Sequence, residues 1–214
     1  MSEEHEGAAR VAASTSVSVH GVRISTQLLL HWAQIAIAQE AAAHTARAEV
    51  AQQYAEAGAE FSLELHPSML CAAATAAAIE SLYAEVVDIV VEEDVRERQR
   101  CRGTPAFARI YHALTRGFHA KTGWRDELKW LFQEQRNAAL HGLSRGDIPH
   151  AHPLGTNTAP EYAIYTSEST KRAVDLMLDI LETCVETPRP PLEQWAATLR
   201  APVANLVAQR RAHA

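Results

Sequence analysis

"CAAATAAAIESLYAEVVDIV" spans residues 71–90, and its periodicity sets the fold class. Leu70, Ala74, Ala77 or Ala78, Leu82, Val86, Ile89 and Val90 recur every three or four positions, which predicts one face of a long amphipathic helix. That helix runs from about 67 to 95, with Pro67 acceptable in a first turn. Alanine is abundant and runs of β-branched residues are few, so helix is favoured over sheet.

Working outward, the same pattern recurs along most of the chain. Leu28, Trp32, Ile35, Ala38 and Ala42 form a stripe that Ala46, Val50 and Tyr54 continue, predicting a helix over about 26–60. "CRGTP" at 101–105 is a break. A shorter helix follows over about 105–118, and after the turn "KTGW" another over about 124–141. Gly142 stands where a C-terminal stop is expected. Residues 142–160, rich in Gly and Pro, read as a long loop. Helices over 168–186 and about 192–212 complete the chain, the last with Pro202 as a candidate kink. Two segments alternate with period two: 16–25, through Val17, Val19, Val22 and Ile24, and "EYAIYTS" at 161–167. They predict short strands that could pair as one small β-hairpin.

The expected organisation is a disordered tail over 1–16, an arm and long helix over 17–60, an antiparallel helical bundle over 66–186, and a linker and helix over 187–214. Four helices between 66 and 186 make the bundle. The 26–60 helix and the last helix are expected to pack outside it or against a second subunit.

Composition narrows the function classes. With 47% hydrophobic residues in 214, the chain can bury one sizeable core. A net charge of -6 argues against a protein that coats nucleic acid. The cysteines, Cys71, Cys101 and Cys184, are odd in number and widely spaced, so reduced thiols are expected rather than disulfides or a metal knuckle. "MSEEHEGAAR" has no apolar run behind it, so no secretory signal is expected. Polar residues interrupt the apolar stretches before any reaches eighteen residues, so no membrane span is expected. The expected location is the cytoplasm.

The polar feature that stands out is "EQRNAALHG" at 134–142. Trp130, Glu134, Asn137 and His141 are spaced four, three and four, which would line a second face of the 124–141 helix. His141 falls in the last turn, where the negative end of the helix dipole favours imidazolium, and histidine can serve as general acid or base near neutral pH. Arg136 supplies a permanent cation with a planar fork suited to phosphate oxygens. Five residues separate Arg136 from His141, about 140° round an ideal helix, so one straight helix does not bring them together. Spacing alone carries little. Roughly one Arg-x4-His match is expected by chance, and Arg145 with His150 in "RGDIPH" is such a decoy in a loop.

"RNAALH" in its helical setting resembles the Arg-polar-x3-His signature of the HEPN superfamily, with "AAATAAAIESLYAEVVDIV" as an early bundle helix. The resemblance covers about 66–186. It implies an all-α, antiparallel four-helix bundle, usually dimeric, with two motifs facing one another across a shared cleft. It further implies metal-independent endoribonuclease activity, with no cofactor, by 2'-OH attack to give a 2',3'-cyclic phosphate. Arg136 and His141 would be the catalytic pair and Asn137 the polar position. RNA would be the substrate and an antitoxin protein a candidate partner, in a toxin or phage-defence role. The alternative is a non-catalytic HEPN-like dimer that binds a nucleotide, RNA or protein. Where some HEPN toxins carry a modifiable tyrosine, this chain has Leu143, which argues against that regulation.

Three further readings come from the residues themselves. Residues 96–129 hold nine basic and three acidic side chains, a band that could follow an RNA backbone; Arg116, Arg125 and Lys129 are its expected contacts. Tyr111, His112, Phe118 and Trp124 could stack bases, although their helical spacing is that of core residues. Asp147, His150 and His152 lack the partner pattern of a metal site, and no metal is expected.

Overall fold

The structure is a computed structural model that describes residues 4–55, 60–141, 150–155 and 157–213, with side chains for 28–53, 60–139, 151–155 and 159–213. The chain is predominantly helical. Its elements are α1 (Glu4–Ala55), α2 (Ser62–Val90), α3 (Glu93–Cys101), α4 (Ala106–Gly117), α5 (Trp124–Lys129), a π-helical segment (Trp130–Arg136), α6 (Asn137–His141), α7 (Pro160–Ile164), α8 (Ser167–Glu186) and α9 (Glu193–His213). A two-residue antiparallel ladder joins β1 (His150–Ala151) to β2 (Asn157–Thr158).

Side-chain contacts fix the helix directions. Cys71 Sγ lies 3.4 Å from the Ala36 carbonyl and Arg47 Nη1 lies 3.3 Å from Glu64, so α1 and α2 run antiparallel. Arg136 reaches Glu80 while Ala138 packs with Ala72, so the motif helix, α5 through α6, is antiparallel to α2. Trp124 bonds Asp179 and Arg172 bonds Glu127, which sets the motif helix antiparallel to α8 as well. α9 returns along α8, with Arg200 donating to the Val185 carbonyl and Arg210 reaching Asp175. The bundle is therefore built from α1, α2, the motif helix and α8, with α9 beside α8 and α4 packed on α2.

This corrects the sequence-based division. The α1–α2 contact is the most extensive between helices, and one core takes in Leu29, Ile37, Ile79, Leu82, Leu128, Leu131, Met177, Ile180, Leu199 and Leu206. α1 is one of the four bundle helices, and α9, packed beside α8, shares their core. In its first part the buried stripe of α1 is one residue round from the expected one, with Leu29, Ala33, Ala36, Ile37, Glu40 and Ala43 buried and Leu28 49% exposed, while Ala46 and Val50 are buried as expected. In α2 the buried set is centred on Cys71, Ala74, Ala78, Leu82 and Val86, leaving Leu70 56% and Ile89 45% exposed. Both helices are so rich in alanine that neighbouring stripes read as equally apolar. A paired charge decides between them: Glu40 is buried because Arg210 holds it, Nη2 to Oε1 at 2.8 Å and Nε to Oε2 at 2.9 Å.

The expected tail over 1–16 and strand over 16–25 are helical from Glu4 on, where α1 starts; residues 1–3 lie outside the described residues. The cost of valines and glycines, at most about 1 kcal/mol each, is carried by propagation from a long, well-formed helix. The second expected strand is also helical: residues 160–164 form α7, with Pro160 in its first turn. The small hairpin forms instead at 150–158, within the expected loop. α3 was not anticipated; the 67–95 helix ends at Val90 and a separate polar helix follows. The remaining helix boundaries fall where the periodicity placed them, and Thr166 with Ser169 forms a capping box for α8. Gly142, Leu143 and the Arg145 side of the decoy lie outside the described residues.

Cys71 and Cys184 are buried and Cys101 is exposed, all as free thiols. Burial, with Glu40 nearby, pushes the Cys71 thiol up to about 12. By length and composition α2 alone among the described helices could span a bilayer, but 56% of its apolar window is buried inside the bundle.

Candidate functional site

The motif helix changes its winding as it approaches the motif. α5 is α-helical; from Trp130 to Arg136 the backbone is π-helical; α winding resumes at Asn137. The Asn137 N–H accordingly bonds the carbonyl of Phe132, five residues back. Such widened turns are rare and cluster at functional positions.

A widened turn has a local cost. When i→i−4 pairing resumes, one carbonyl is left over relative to the helical donors. Within this turn the Tyr165 hydroxyl also donates to the Gln135 carbonyl at 2.8 Å. The Tyr165 ring is buried in a small cluster with Ala72 of α2 and Ala138 of α6, and burial pushes its phenol pKa up, so it stays a donor. Gln135 is buried too, and its Oε1 finds no partner among the described residues.

At the end of this turn, Arg136 extends toward α2. Its Nη2 lies 3.5 Å from Glu80 Oε1 and its Nη1 donates to Asn137 Oδ1 at 3.3 Å. The Arg136 side chain is 30% exposed and that of Glu80 39%. An ion pair this open to water is worth at most about 1 kcal/mol, so Glu80 orients the guanidinium without sequestering it from an anion. Asn137 and Glu134 are exposed beside it. His141 closes α6, about 7.5 Å further along the axis from Arg136; its ring lies outside the described residues.

Of the expected Trp130–Glu134–Asn137–His141 line, the part from Trp130 to Asn137 does not keep its spacing. The four-three-four ladder assumes α winding, and the π-helical segment interrupts it. Trp130 instead packs against the core, with the Arg172 guanidinium 4.0 Å over its ring and Glu127 gripping Arg172 through both oxygens.

The basic band is largely compensated. Arg96 pairs with Asp88 and Glu93, Arg98 with Asp94 at 2.5 Å, Arg100 with Glu93 at 3.1 Å and Lys121 with Asp179 at 2.5 Å. Arg116, on α4, lies 3.9 Å from Glu92. Arg125 and Lys129 share a face of α5 at i, i+4; they are exposed and carry no ion pair among the described residues. The stacking candidates are committed elsewhere: Phe118 and Trp124 are buried, Tyr111 packs on the core, and His112 meets the Gln99 amide at 3.3 Å.

His152 is likewise engaged, in a cluster the sequence did not reveal. Glu64, buried on α2, accepts the Ser167 N–H at 2.6 Å and faces Arg47 at 3.3 Å and His152 Nε2 at 3.7 Å. His152 Nδ1 accepts the Leu154 N–H at 3.2 Å, and Phe61 packs edge-on against its ring. Arg47 also reaches Glu168. The cluster clamps the hairpin that follows the motif helix onto α1, α2 and the start of α8. Asp147 lies outside the described residues, and among the described residues no three His, Cys, Asp or Glu side chains could share a metal ion. Tyr165, Glu80 and Glu64 all escaped the sequence reading because each acts through a partner distant in the chain.

The fold and this surface define a helical-bundle protein with a half-exposed Arg–Asn pair at the end of a widened helical turn. Comparison of the chain with family models, with curated proteins and with solved structures gives no match.

Proposed function

We propose that this chain is a metal-independent endoribonuclease of HEPN type, working as a homodimer in the cytoplasm as a toxin or phage-defence effector. The observation that carries the reading is Arg136: a guanidinium presented at the surface, oriented by Glu80 and Asn137, on the helix that ends at His141. The antiparallel helical bundle around "RNAALH" supports it. Arg125 and Lys129 on the same helix offer uncompensated charge for an RNA backbone.

In this chemistry the 2'-oxygen attacks phosphorus, its proton passes to a base, and the bond to the 5'-oxygen breaks as that oxygen takes a proton. The products are a 2',3'-cyclic phosphate and a 5'-hydroxyl. His141 handles the protons, and Arg136 stabilises the charge that builds on the phosphoryl oxygens. Arg136 and His141 diverge along one helix, so a second copy of the motif completes the site. RNA cleavage in EDTA by wild type, His141→Ala and Arg136→Ala tests the reading. Loss of cleavage in both variants is expected. Equal cleavage by all three proteins, or none by any, removes it, and RNA binding that survives His141→Ala without turnover points to the non-catalytic dimer instead.

A further inference from the structure

We infer that the cleft where α1, α8 and α9 meet is a binding site for a small phosphate anion, free or carried as a monoester. The cleft has a volume of about 290 Å³, and its polar lining is Glu40 and His44 of α1, Lys171 of α8, and Arg210 and His213 of α9. Glu40 and His44 are spaced i, i+4 and Arg210 and His213 i, i+3, so each pair falls on one helix face. None of these residues lies on the motif helix, and the inference does not depend on the endoribonuclease reading. The volume lies just under the range of about 300–1,000 Å³ that takes drug-sized ligands, which suits a small anion rather than a polymer.

The hydrogen-bond inventory gives the sign of the ligand. The one acid in the lining, Glu40, is buried and has both carboxylate oxygens taken by Arg210, at 2.8 and 2.9 Å. Arg210 also donates to Asp175, which Lys171 reaches at 2.8 Å. Glu40 and Asp175 thereby fix the two cations in place. The guanidinium has five N–H donors and these bonds use three, leaving one on each terminal nitrogen. The ammonium has three donors, of which Asp175 takes one. His44 and His213 make no hydrogen bond or ion pair among the described residues, and even a neutral imidazole offers one N–H. The cleft is thus lined by spare donors from three helices, while its carboxylate is already occupied. A guanidinium fork and an ammonium held at fixed positions match phosphate oxygens. The Arg210 side chain is 20% exposed, so water screens it only in part. The two acids and two cations cancel formally. Binding therefore rests on short-range donors and should be modest, with Kd on the order of 1 mM.

The test is a titration of the full chain with sodium phosphate, AMP and adenosine, at fixed pH and constant ionic strength in chloride, followed by the NMR signals of the His44 and His213 rings. Phosphate and AMP should shift both rings saturably, and adenosine should not. Lys171→Met and His44→Ala should each weaken binding about tenfold, the size of one lost charge-assisted hydrogen bond. Both replace exposed side chains, and Asp175 keeps Arg210, so both variants should fold. Saturation by phosphate alone assigns the site to the free anion, and saturation by AMP alone assigns it to a monoester. No saturable shift with either up to about 20 mM, well above the expected Kd, overturns the inference. So does an adenosine effect equal to that of AMP, or unchanged affinity in both variants.

Discussion

Arg47→Met should cost about 3 kcal/mol of folding free energy at pH 8, and about two thirds of that cost should depend on Glu64. The Glu64 side chain is 2% exposed, so its charge is not stabilised by water. The Ser167 N–H at 2.6 Å satisfies one oxygen, and Arg47 supplies the compensating cation at 3.3 Å. Removing one partner of a buried pair costs about 3–5 kcal/mol because the other is left uncompensated. Methionine keeps most of the apolar stem, so little packing is lost. The second pair, Arg47 with Glu168, contributes less than about 0.5 kcal/mol because Glu168 is exposed. His152 Nε2, 3.7 Å from Glu64, moderates the loss: without Arg47 it can protonate and take the place of the cation, so the cost should shrink toward pH 5.5. In a Glu64→Gln background, where the amide oxygen still accepts from Ser167, Arg47→Met should cost about 1 kcal/mol or less, a coupling near 2 kcal/mol. Urea unfolding reads this directly, since with a slope of about 2–3 kcal/mol/M the midpoint should fall by roughly 1–1.5 M. An equal cost in both backgrounds, or a single-variant cost below about 1 kcal/mol, would refute the reasoning.

Two further outcomes follow from the packing. Burial, and then the Arg47 charge, lower the His152 pKa against the opposing pull of Glu64 and Glu168, so as pH falls below 6.5 the unfolded chain takes up its proton first. Stability attributable to His152 is complete above pH 6.5 and declines as pH falls toward the folded pKa, with a slope under about 1.4 kcal/mol per pH unit; His112, lowered by burial and Arg116, adds in the same direction. His152→Asn, whose Oδ1 can still accept the Leu154 N–H, should flatten the pH profile, and an unchanged profile would contradict this assignment. Gly117 is required by close approach: a Cβ there would lie 2.6 Å from Leu192 Cδ1 and 3.0 Å from Val90 Cγ1, while its carbonyl accepts the Arg189 N–H at 2.9 Å. Gly117→Val should therefore destabilise by about 2 kcal/mol through overpacking, checked by thermal unfolding, and a raised Tm would count against it.

What the sequence determined by itself was the local structure. Alanine content and 3.6-residue periodicity are properties of neighbouring residues, so α2, α4, the motif helix, α8 and α9 were legible, as was the placement of Arg136, Asn137 and His141 on one helix. What only the tertiary structure decided were the choices between local alternatives of nearly equal energy. Glu40 selects the buried face of α1 because Arg210 arrives from the far end of the chain. The 16–25 segment alternates like a strand, yet a strand needs a partner, and the intended one became α7 with Tyr165 turned inward. The π-helical turn over Trp130–Arg136 leaves no periodic mark in "WLFQEQR", and its Gln135 carbonyl accepts from a phenol 30 residues downstream. Periodicity reports which residues can face inward; which of them do, and how a helix is wound where it carries its polar groups, depends on contacts made only when distant segments meet.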